Sequence, residues 1–223
     1  DCNLVLEADP NNISAKHCRA QVLSQLKNYE AAIDDLTSVL KLKSLATEIQ
    51  SQLRFDRAVS HNLLGNKEEA KSDLLKAIRL NPLASRNYVF LGELHQQTGE
   101  FDKSLRAFEK SIALDSQNPN VHRKSGICNT YLQNHHAAIG NFSRAIDLAP
   151  HRVEPVIQRG QAYLKINQPQ LALEDFEFAL HQNDQLSKAY SGRASALAMQ
   201  VKLEKALISL TKAIHRFKRP RDI

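Results

Sequence analysis

Histidines are the residues here best suited to acid–base chemistry or metal binding, and the chain contains nine of them. A 34-residue interval separates His61 from His95, and the same interval separates His181 from His215. Equal spacing over such a distance is typical of equivalent positions in successive repeats. It does not gather the imidazoles into one cluster, so the histidines do not by themselves predict a site.

The other groups that could support catalysis form no recognisable motif. The sequence contains no HExxH, no GxSxG and no phosphate-binding glycine loop. The paired carboxylates Asp34-Asp35 and Glu68-Glu69 are assigned to helix starts or polar faces, where they favour the helix dipole or are solvated. We therefore predict no catalytic residue, no cofactor and no metal, and we expect the chain not to be an enzyme.

Composition and charge exclude several classes of protein. A 42% apolar content is too high for a disordered chain, and no apolar run approaches the roughly 20 residues of a membrane-spanning helix. The net charge is +6, with its densest basic cluster at 215–221. We interpret that cluster as cations at a helix C-terminus. Because Lys and Arg elsewhere alternate with Asp and Glu, nucleic-acid binding and nuclear import are weaker hypotheses.

The cysteines bear on the compartment. Cys2, Cys18 and Cys128 are odd in number and sparse, so they define neither a disulfide framework nor a zinc site. We interpret all three as buried small residues. A reducing intracellular compartment follows, most simply the cytoplasm, with the cilium and the nucleus as alternatives.

A 34-residue period organises the chain. Small residues recur in three columns and bulky residues in a fourth, over five consecutive units. The small columns are Ala58/Gly92/Gly126/Gly160/Ala194, Ala70/Ser104/Ala138/Ala172/Ala206 and Ala77/Ser111/Ala145/Ala179/Ala213, and the bulky one is Leu74/Phe108/Phe142/Phe176/Leu210. Within each unit the apolar spacing of three and four predicts two helices of about a dozen residues, joined by a short turn.

The small columns have a physical cause. Two antiparallel helices pack about 8–10 Å apart, and small residues let their backbones approach. The bulky column then fills the space toward the following unit. A single helix pair cannot bury both of its faces, so successive pairs must stack.

With its 34-residue period and its Gly/Ala, Ala, Phe, Ala, Pro pattern, the chain resembles the tetratricopeptide repeat (TPR) family. Gly160, Tyr163, Ala172, Phe176 and Ala179 form the clearest unit. The resemblance implies an all-α fold, a right-handed α-solenoid of about six helix-turn-helix units plus an N-terminal half-repeat. It also implies that the first helices of successive units line a concave groove that holds peptides or partner helices.

The period predicts where the units lie within one array. Residues 1–12 are the expected end of a preceding, truncated repeat. An apolar helix with no polar capping helix after it is expected from Leu207, Ile208, Leu210 and Ile214. Four extra residues fall within 41–50, and Arg54 and Arg57 occupy positions where apolar or neutral residues are expected. The predicted units are 13–50, 51–84, 85–118, 119–152, 153–186 and 187–223.

Helical phase predicts the groove residues as those that lie off the packing columns of each first helix. The predicted partner-binding set is Arg86, Val89, Glu93, Asn120, Arg123, Ile127, Glu154, Ile157, Gln161 and Lys188, and the same helical phase adds Gln96, Thr130, Leu164, Ser191 and Ser195. This mixture of polar and apolar side chains suits an extended peptide or a helix.

One specialised groove within the family is disfavoured. The cochaperone arrays that grip a heat-shock protein's C-terminal carboxylate use Lys and Asn, then Asn, then Lys and Arg on three successive first helices. The matching places here hold His17 and Gln21, then Asp56, then Arg86 and Phe90. An acid in that set opposes a carboxylate ligand.

The sequence thus predicts a non-catalytic protein–protein interaction scaffold that binds a partner peptide or helix in its groove. Two alternatives stay open. One is a structural segment of a large multi-protein assembly, for example a ciliary one. The other is the regulatory array of an enzyme whose catalytic domain lies outside this chain.

Overall fold

The computed structural model describes residues 2–42 and 45–217, and within those ranges it contains thirteen α-helices and no strand. The all-α fold class is therefore confirmed. The helices are α1 Cys2–Ala8, α2 Ile13–Gln25, α3 Tyr29–Leu40, α4 Thr47–Leu63, α5 Lys67–Leu80, α6 Ser85–Gln97, α7 Phe101–Leu114, α8 Pro119–Tyr131, α9 His135–Leu148, α10 Val153–Lys165, α11 Pro169–Gln182, α12 Ser187–Met199 and α13 Leu203–Phe217.

The helices group into two compact units, Asp1–Thr98 (unit 1) and Gly99–Ile223 (unit 2). In unit 1, α2 packs on α3 and α4 packs on α5, and α3 also contacts α4. In unit 2, the pairs are α8 with α9, α10 with α11 and α12 with α13. Successive pairs stack through α9 on α10 and α11 on α12. Each unit is thus a stack of antiparallel helix pairs, in which even-numbered helices come first in each pair.

The core follows the repeat columns. Phe142 and Phe176 are fully buried in unit 2, as are Ala138, Ala145 and Ala172. Small residues lie where a helix must approach a ring: a methyl group at Gly126 would lie less than 3.0 Å from the Phe142 ring. The small residues of the repeat therefore leave room for the bulky side chains, as the repeat spacing predicts.

The turns within the helix pairs also repeat. Asn12 and Asn28 cap α2 and α3 by accepting hydrogen bonds from the amides of Ala15 and Ala31. Before each second helix one residue has a left-handed backbone, a conformation that favours glycine because it lacks a Cβ. Gly65 fills that position in unit 1, but other residues adopt it at Lys27, Gln133, Asn167 and Val201.

The segment around the four extra residues is described only in part, because Lys43 and Ser44 lie outside the described residues. α4 has 17 residues, whereas α2 and α6 have 13 each. The additional turn, 47–50, lies at the start of α4. The Gln50 side chain stabilises it by donating to the Leu45 carbonyl at 2.9 Å.

Arg57 is not an irregularity, contrary to the sequence-based expectation. Its Nε and Nη2 donate to the two carboxylate oxygens of Asp73 at 2.6 and 2.8 Å, and its Nη1 donates to Thr37 Oγ1 at 2.8 Å. Arg54 contacts the same carboxylate at 3.3 Å. The Arg57 guanidinium therefore links α4 to α5 within its own pair, and it also reaches α3 of the preceding pair.

The same device occurs in two other helix pairs. Arg19 binds Asp35 through two hydrogen bonds of 2.7 and 2.6 Å, so Asp35 is buried in an ion pair and does not lie on a solvated polar face. Arg159 binds Asp175 at 3.0 and 2.7 Å and Ser143 Oγ at 3.0 Å. In each pair the Asp follows the Arg by 16 residues.

In the Arg159–Asp175 pair, burial makes each charged group depend on its partner. Burial raises the pKa of the Asp175 carboxyl, and the hydrogen bonds from Arg159 oppose that rise. The same hydrogen bonds raise the pKa of the Arg159 guanidinium. Loss of either partner would leave the other charge poorly compensated.

The prediction that all three cysteines are buried is wrong for two of them. Cys128 is buried, and burial raises the pKa of its thiol. Cys18 is exposed and Cys2 is half-buried, because α1 has only seven residues and covers little of α2. A hydrogen bond with Cys18 raises the pKa of Cys2.

Candidate functional site

The candidate site is a cavity of about 650 Å³ in unit 2, lined by the first helices of three successive pairs, α8, α10 and α12, and by Phe142 of α9. We call it the unit 2 groove. Its lining residues are Ile127, Thr130, Tyr131, Phe142, Gln158, Gln161, Leu164, Lys165, Ser195 and Met199.

Repeat geometry explains why these side chains converge. Ile127, Gln161 and Ser195 follow one another at the 34-residue repeat spacing, and so do Tyr131, Lys165 and Met199. Equivalent positions on stacked helices point in the same direction, so each column becomes a row across the groove. The groove is therefore a consequence of the repeat and needs no local irregularity.

The groove combines an apolar surface with hydrogen-bonding groups. Ile127, Leu164 and Met199 provide aliphatic contact area. Thr130 and Ser195 donate their hydroxyl protons to carbonyls of their own helices, at 2.9 and 3.2 Å. Their oxygen lone pairs therefore remain available as acceptors.

The glutamines and the single charge complete the lining. Gln158 Oε1 is buried and has no hydrogen-bond partner among the described residues, whereas Gln161 is exposed. Lys165 is the one charged side chain that lines the groove in the described part of the chain. Such a surface can contact an apolar side chain and accept hydrogen bonds from a peptide backbone.

An aromatic stack borders the groove. The rings of Phe101 and Tyr131 are nearly parallel, with an interplanar angle of 5° and centroids 4.1 Å apart. Tyr131 is nevertheless exposed on its outer side. The stack positions the Tyr131 ring at the end of α8, beside the groove.

The predicted groove residues fall into different surroundings. Ile127 and Gln161 line the groove, and so do Thr130, Leu164 and Ser195. Ile157 does not: it is only 7% exposed and belongs to the apolar core, with Leu173 and Tyr190. It therefore stabilises the stack, because the following helix pair covers it.

The other predicted residues of unit 2 lie outside the cavity. Asn120 accepts a hydrogen bond from Arg152 at 2.5 Å, and both Glu154 and Lys188 are exposed. Arg123 is half-buried on α8. None of the four lines the groove.

In unit 1 the predicted residues lie on α6. Val89 and Glu93 are half-buried. The Arg86 guanidinium lies 4.8 Å from the Phe55 ring centroid and hydrogen-bonds to Gln52 Oε1. The Phe55 and Phe90 rings meet edge to face, with centroids 5.7 Å apart.

A polar network extends from Arg86 across three first helices of unit 1. Gln52 Nε2 donates to both oxygens of Asp56 at 3.0 Å, and His17 Nε2 lies 2.5 Å from Asp56 Oδ2. Gln21 also reaches Asp56 at 3.4 Å. Arg86 is thus engaged with Gln52 and Phe55, and an acid lies at the centre of the network.

Sequence reasoning missed the groove residues Tyr131, Lys165 and Met199, together with Gln158. The first three end their helices, one turn beyond the predicted positions. Their 34-residue spacing was the available signal.

Neither a metal-binding cluster nor a membrane-spanning helix occurs among the described residues. No group of three or more His, Cys, Asp and Glu side chains there could hold a metal ion. None of the described helices is both long and apolar enough to cross a membrane.

The geometry defines an all-α protein built from stacked 34-residue helix pairs. Models of the tetratricopeptide repeat match residues 55–119 and 157–220, and a second such model matches residues 15–44. These matches cover more than half of the chain, which therefore belongs to the tetratricopeptide repeat family.

Curated relatives are longer. The chain is 30% identical over 130 residues to Tetratricopeptide repeat protein 6 of Homo sapiens, covering 58% of this chain and 24% of that protein. It is 27% identical over 112 residues to a DnaJ homolog subfamily C member 7 homolog of Dictyostelium discoideum, covering 50% of this chain and 21% of that protein. The chain thus matches about a quarter or less of each relative's length.

Solved structures share the fold. The C-terminal part of a TPR repeat-containing protein from Cytophaga hutchinsonii has a TM-score of 0.80 at 19% identity, covering 98% of this chain and 92% of that one. MamA from Desulfovibrio magneticus has a TM-score of 0.73 at 16% identity, covering 78% and 98%. YrrB, described as a TPR protein with an unusual peptide-binding site, has a TM-score of 0.69 at 22% identity, covering 74% and 86%.

Proposed function

We propose that the chain is a non-catalytic protein–protein interaction scaffold whose unit 2 groove binds a partner segment through an uncharged apolar side chain. The observation that carries the proposal is the convergence of Ile127, Gln161 and Ser195 from three helices around one cavity. The tetratricopeptide repeat fold supports a scaffold role, and YrrB, which shares this fold, is described as having a peptide-binding site.

The residues that line the unit 2 groove support a partner segment whose inserted side chain is apolar and uncharged. Ile127, Leu164 and Met199 offer contact area to an aliphatic side chain, and an apolar side chain of that size contributes about 1.5–3 kcal/mol when fully buried. The acceptors of Thr130 and Ser195 suit backbone N–H groups. Because the groove forms from rigid helices, its ordering cost on binding is small.

The proposal does not extend to a heat-shock-protein carboxylate clamp. Asp56 lies among His17, Gln21 and Gln52, at the place where the clamp needs an amide. A ligand carboxylate would meet like charge there. The similarity to a DnaJ homolog therefore supports the repeat fold and not this mode of binding.

Peptide display tests the groove directly. Random peptides would be selected on the wild-type chain, and their affinities compared with those for Leu164→Glu. The matched control is Leu171→Glu, since Leu171 is an exposed apolar residue of the same unit that does not line the groove. Circular dichroism should show equal helicity for all three proteins.

We expect the selected peptides to share an aliphatic residue and to lose at least tenfold in affinity, about 1.4 kcal/mol, with Leu164→Glu only. Selected peptides that bind all three proteins equally would show that the groove is not the binding surface. If the groove selects no peptides, the scaffold must act through other surfaces, and a structural segment of a large assembly becomes the better proposal.

The proposed compartment is intracellular, most simply the cytoplasm. Its support is that all three cysteines are free thiols, including the exposed Cys18. Imaging of the fluorescently tagged protein in cells tests this, and a signal confined to a secretory compartment would contradict it.

A further inference from the structure

A second cavity in unit 2, of about 260 Å³, is lined by residues of α11, α12 and α13 and of the turn before α13. We call it the arginine crevice, because Arg193 lines it together with Lys202 and Lys205. The carboxylate of Glu177 lines it as well. The arginine crevice shares no lining residue with the unit 2 groove, so the two surfaces are distinct.

Arg193 occupies the position of the paired arginines but lacks their carboxylate. In the pairs α2–α3, α4–α5 and α10–α11, an aspartate 16 residues after the arginine accepts two hydrogen bonds from it. Sixteen residues after Arg193 the chain has Ser209 instead. The Arg193 Nε donates to Ser209 Oγ at 3.1 Å, and its Nη1 and Nη2 have no hydrogen-bond partner among the described residues. Both Nη groups are therefore available to a ligand.

The equivalent crevice of unit 1 has the opposite balance of charge. It is a cavity of about 380 Å³ beside Arg57, lined by two cations and by three carboxylates, among them Glu69 and Asp73. Four repeats later, Lys205 takes the place of Glu69 and Ser209 takes the place of Asp73. The arginine crevice thus has the arginine of this position without the acids that balance it.

The opening of the arginine crevice is a property of the repeat. In unit 1, α6 follows α5, and the equivalent crevice is open nevertheless. Ser72 and Glu174 occupy the position of Ile208 in earlier repeats, and both are exposed. This face of a second helix therefore meets solvent even where a further helix pair follows.

Charge and shape specify the ligand. Three cations face one carboxylate among the described residues of the arginine crevice, and a phosphoryl group, with about two negative charges at neutral pH, balances them. A guanidinium binds two oxygens of such a group side by side. Leu173, Leu197 and Ile208 add an aliphatic wall, which suits the carbon stem of a phosphorylated side chain. Glu177 is exposed in the same crevice, so an extended anionic surface such as a membrane would be repelled there.

We propose that the arginine crevice binds a phosphoryl group carried by a side chain of a partner protein. The Nη atoms of Arg193 hold two of its oxygens, and Lys202 and Lys205 neutralise the remaining charge. Ser209 positions the guanidinium by accepting from its Nε. The site gives the scaffold a contact that depends on phosphorylation of the partner, and it does not rest on the function proposed for the unit 2 groove.

Inorganic phosphate and three short peptides are the probes. The peptides are alanine-rich and identical except at one position, which holds phosphoserine, glutamate or serine. Binding to the whole chain is followed at low ionic strength by amide NMR spectra, in which the shifted signals locate the site.

Three variants test the residues of the arginine crevice. Ser209→Asp gives Arg193 the internal carboxylate that the other paired arginines have, and Ser209→Asn is its uncharged control of equal size. Lys205→Glu changes an exposed side chain to the residue present at Glu69, so it tests the site without altering a buried position. Circular dichroism should show equal helicity for all of them.

We expect phosphate and the phosphoserine peptide to bind wild type saturably and to shift amides around Arg193 in α12 and α13. Ser209→Asp and Lys205→Glu should each weaken binding of the phosphoserine peptide at least tenfold, whereas Ser209→Asn should bind it as wild type does. The glutamate peptide should bind wild type at least tenfold more weakly, because it carries a single charge. Leu164→Glu, in the unit 2 groove, should leave phosphoserine binding unchanged.

Four results would overturn the proposal. The first is that the phosphoserine peptide shifts no amides around Arg193, including the case in which free phosphate alone binds there. The second is that it binds wild type, Ser209→Asp and Lys205→Glu equally well. The third is that the glutamate peptide binds as tightly, which would assign the crevice to a carboxylate. The fourth is that vesicles of phosphatidylcholine and phosphatidylinositol phosphate bind wild type and not Ser209→Asp while the phosphoserine peptide does not bind, which would assign it to a lipid headgroup.

Discussion

Replacing Gly192 by alanine isolates the packing cost at the centre of unit 2. Glycine in the middle of a helix is less favourable than alanine by about 1 kcal/mol, so propensity alone predicts stabilisation. At Gly192, however, the added methyl would lie less than 3.0 Å from three ring carbons of Phe176. That ring has little room to move away, because Phe176 is fully buried within the close-packed apolar core.

A matched control removes propensity from the comparison. Gly140 lies inside α9, is exposed, and would place a methyl with nothing within 4 Å. Gly140→Ala should therefore stabilise the chain by about 0.5–1 kcal/mol. The helical gain is common to both variants, so their difference equals the overpacking cost at Gly192, about 1–3 kcal/mol.

Urea denaturation followed by circular dichroism measures this difference, and hydrogen exchange on α11 and α12 localises it when repeats unfold separately. Combining Gly192→Ala with Phe176→Leu should recover part of the loss, because the smaller side chain makes room. If Gly192→Ala and Gly140→Ala change stability in the same direction by amounts within about 0.5 kcal/mol, the ring is not locked and the packing argument is wrong.

Three further predictions concern stability. Arg159→Met should lower the free energy of unfolding by about 2–3 kcal/mol, because it leaves Asp175 without its ion pair. Adding Asp175→Leu should recover most of that loss. Unchanged stability of Arg159→Met would contradict the pairing. Burial lowers the pKa of His61 in the folded chain. As the pH falls below about 7, His61 is therefore protonated in the unfolded chain before it is protonated in the folded one. The free energy of unfolding should fall until the pH reaches the lowered pKa. His61→Gln should flatten this dependence in denaturation at several pH values, and an equal slope would refute it. Val201→Gly should stabilise the folded chain by about 1 kcal/mol, because a β-branched residue is strained at a φ of 59°. Asn167→Gly should stabilise it less. Equal effects of the two changes in thermal unfolding would refute the strain.

The sequence was sufficient for the repeat fold because packing is encoded in short-range spacing. Ala138, Ala145 and Phe142 are buried where the columns place them. Part of the groove followed from the same regularity, since Ile127 and Gln161 occupy equivalent positions.

Other features depend on contacts that spacing does not contain. Helical phase places Ile157 on the groove side of α10, but phase does not show how far a neighbouring helix covers that side. In the structure Ile157 shares a core cluster with Tyr190 of α12, so it is buried. Arg57 looked out of place because its partner, Asp73, lies on another helix.

The arginine bridges have a consequence for how such chains gain and lose modules. Arg19, Arg57 and Arg159 each find their carboxylate 16 residues later, within the same helix pair. The bond that each makes to the preceding helix reaches only a neutral oxygen, on Asn3, Thr37 or Ser143. A 34-residue module that carries its own counter-ion can be duplicated or deleted in frame without stranding a buried charge in its neighbour.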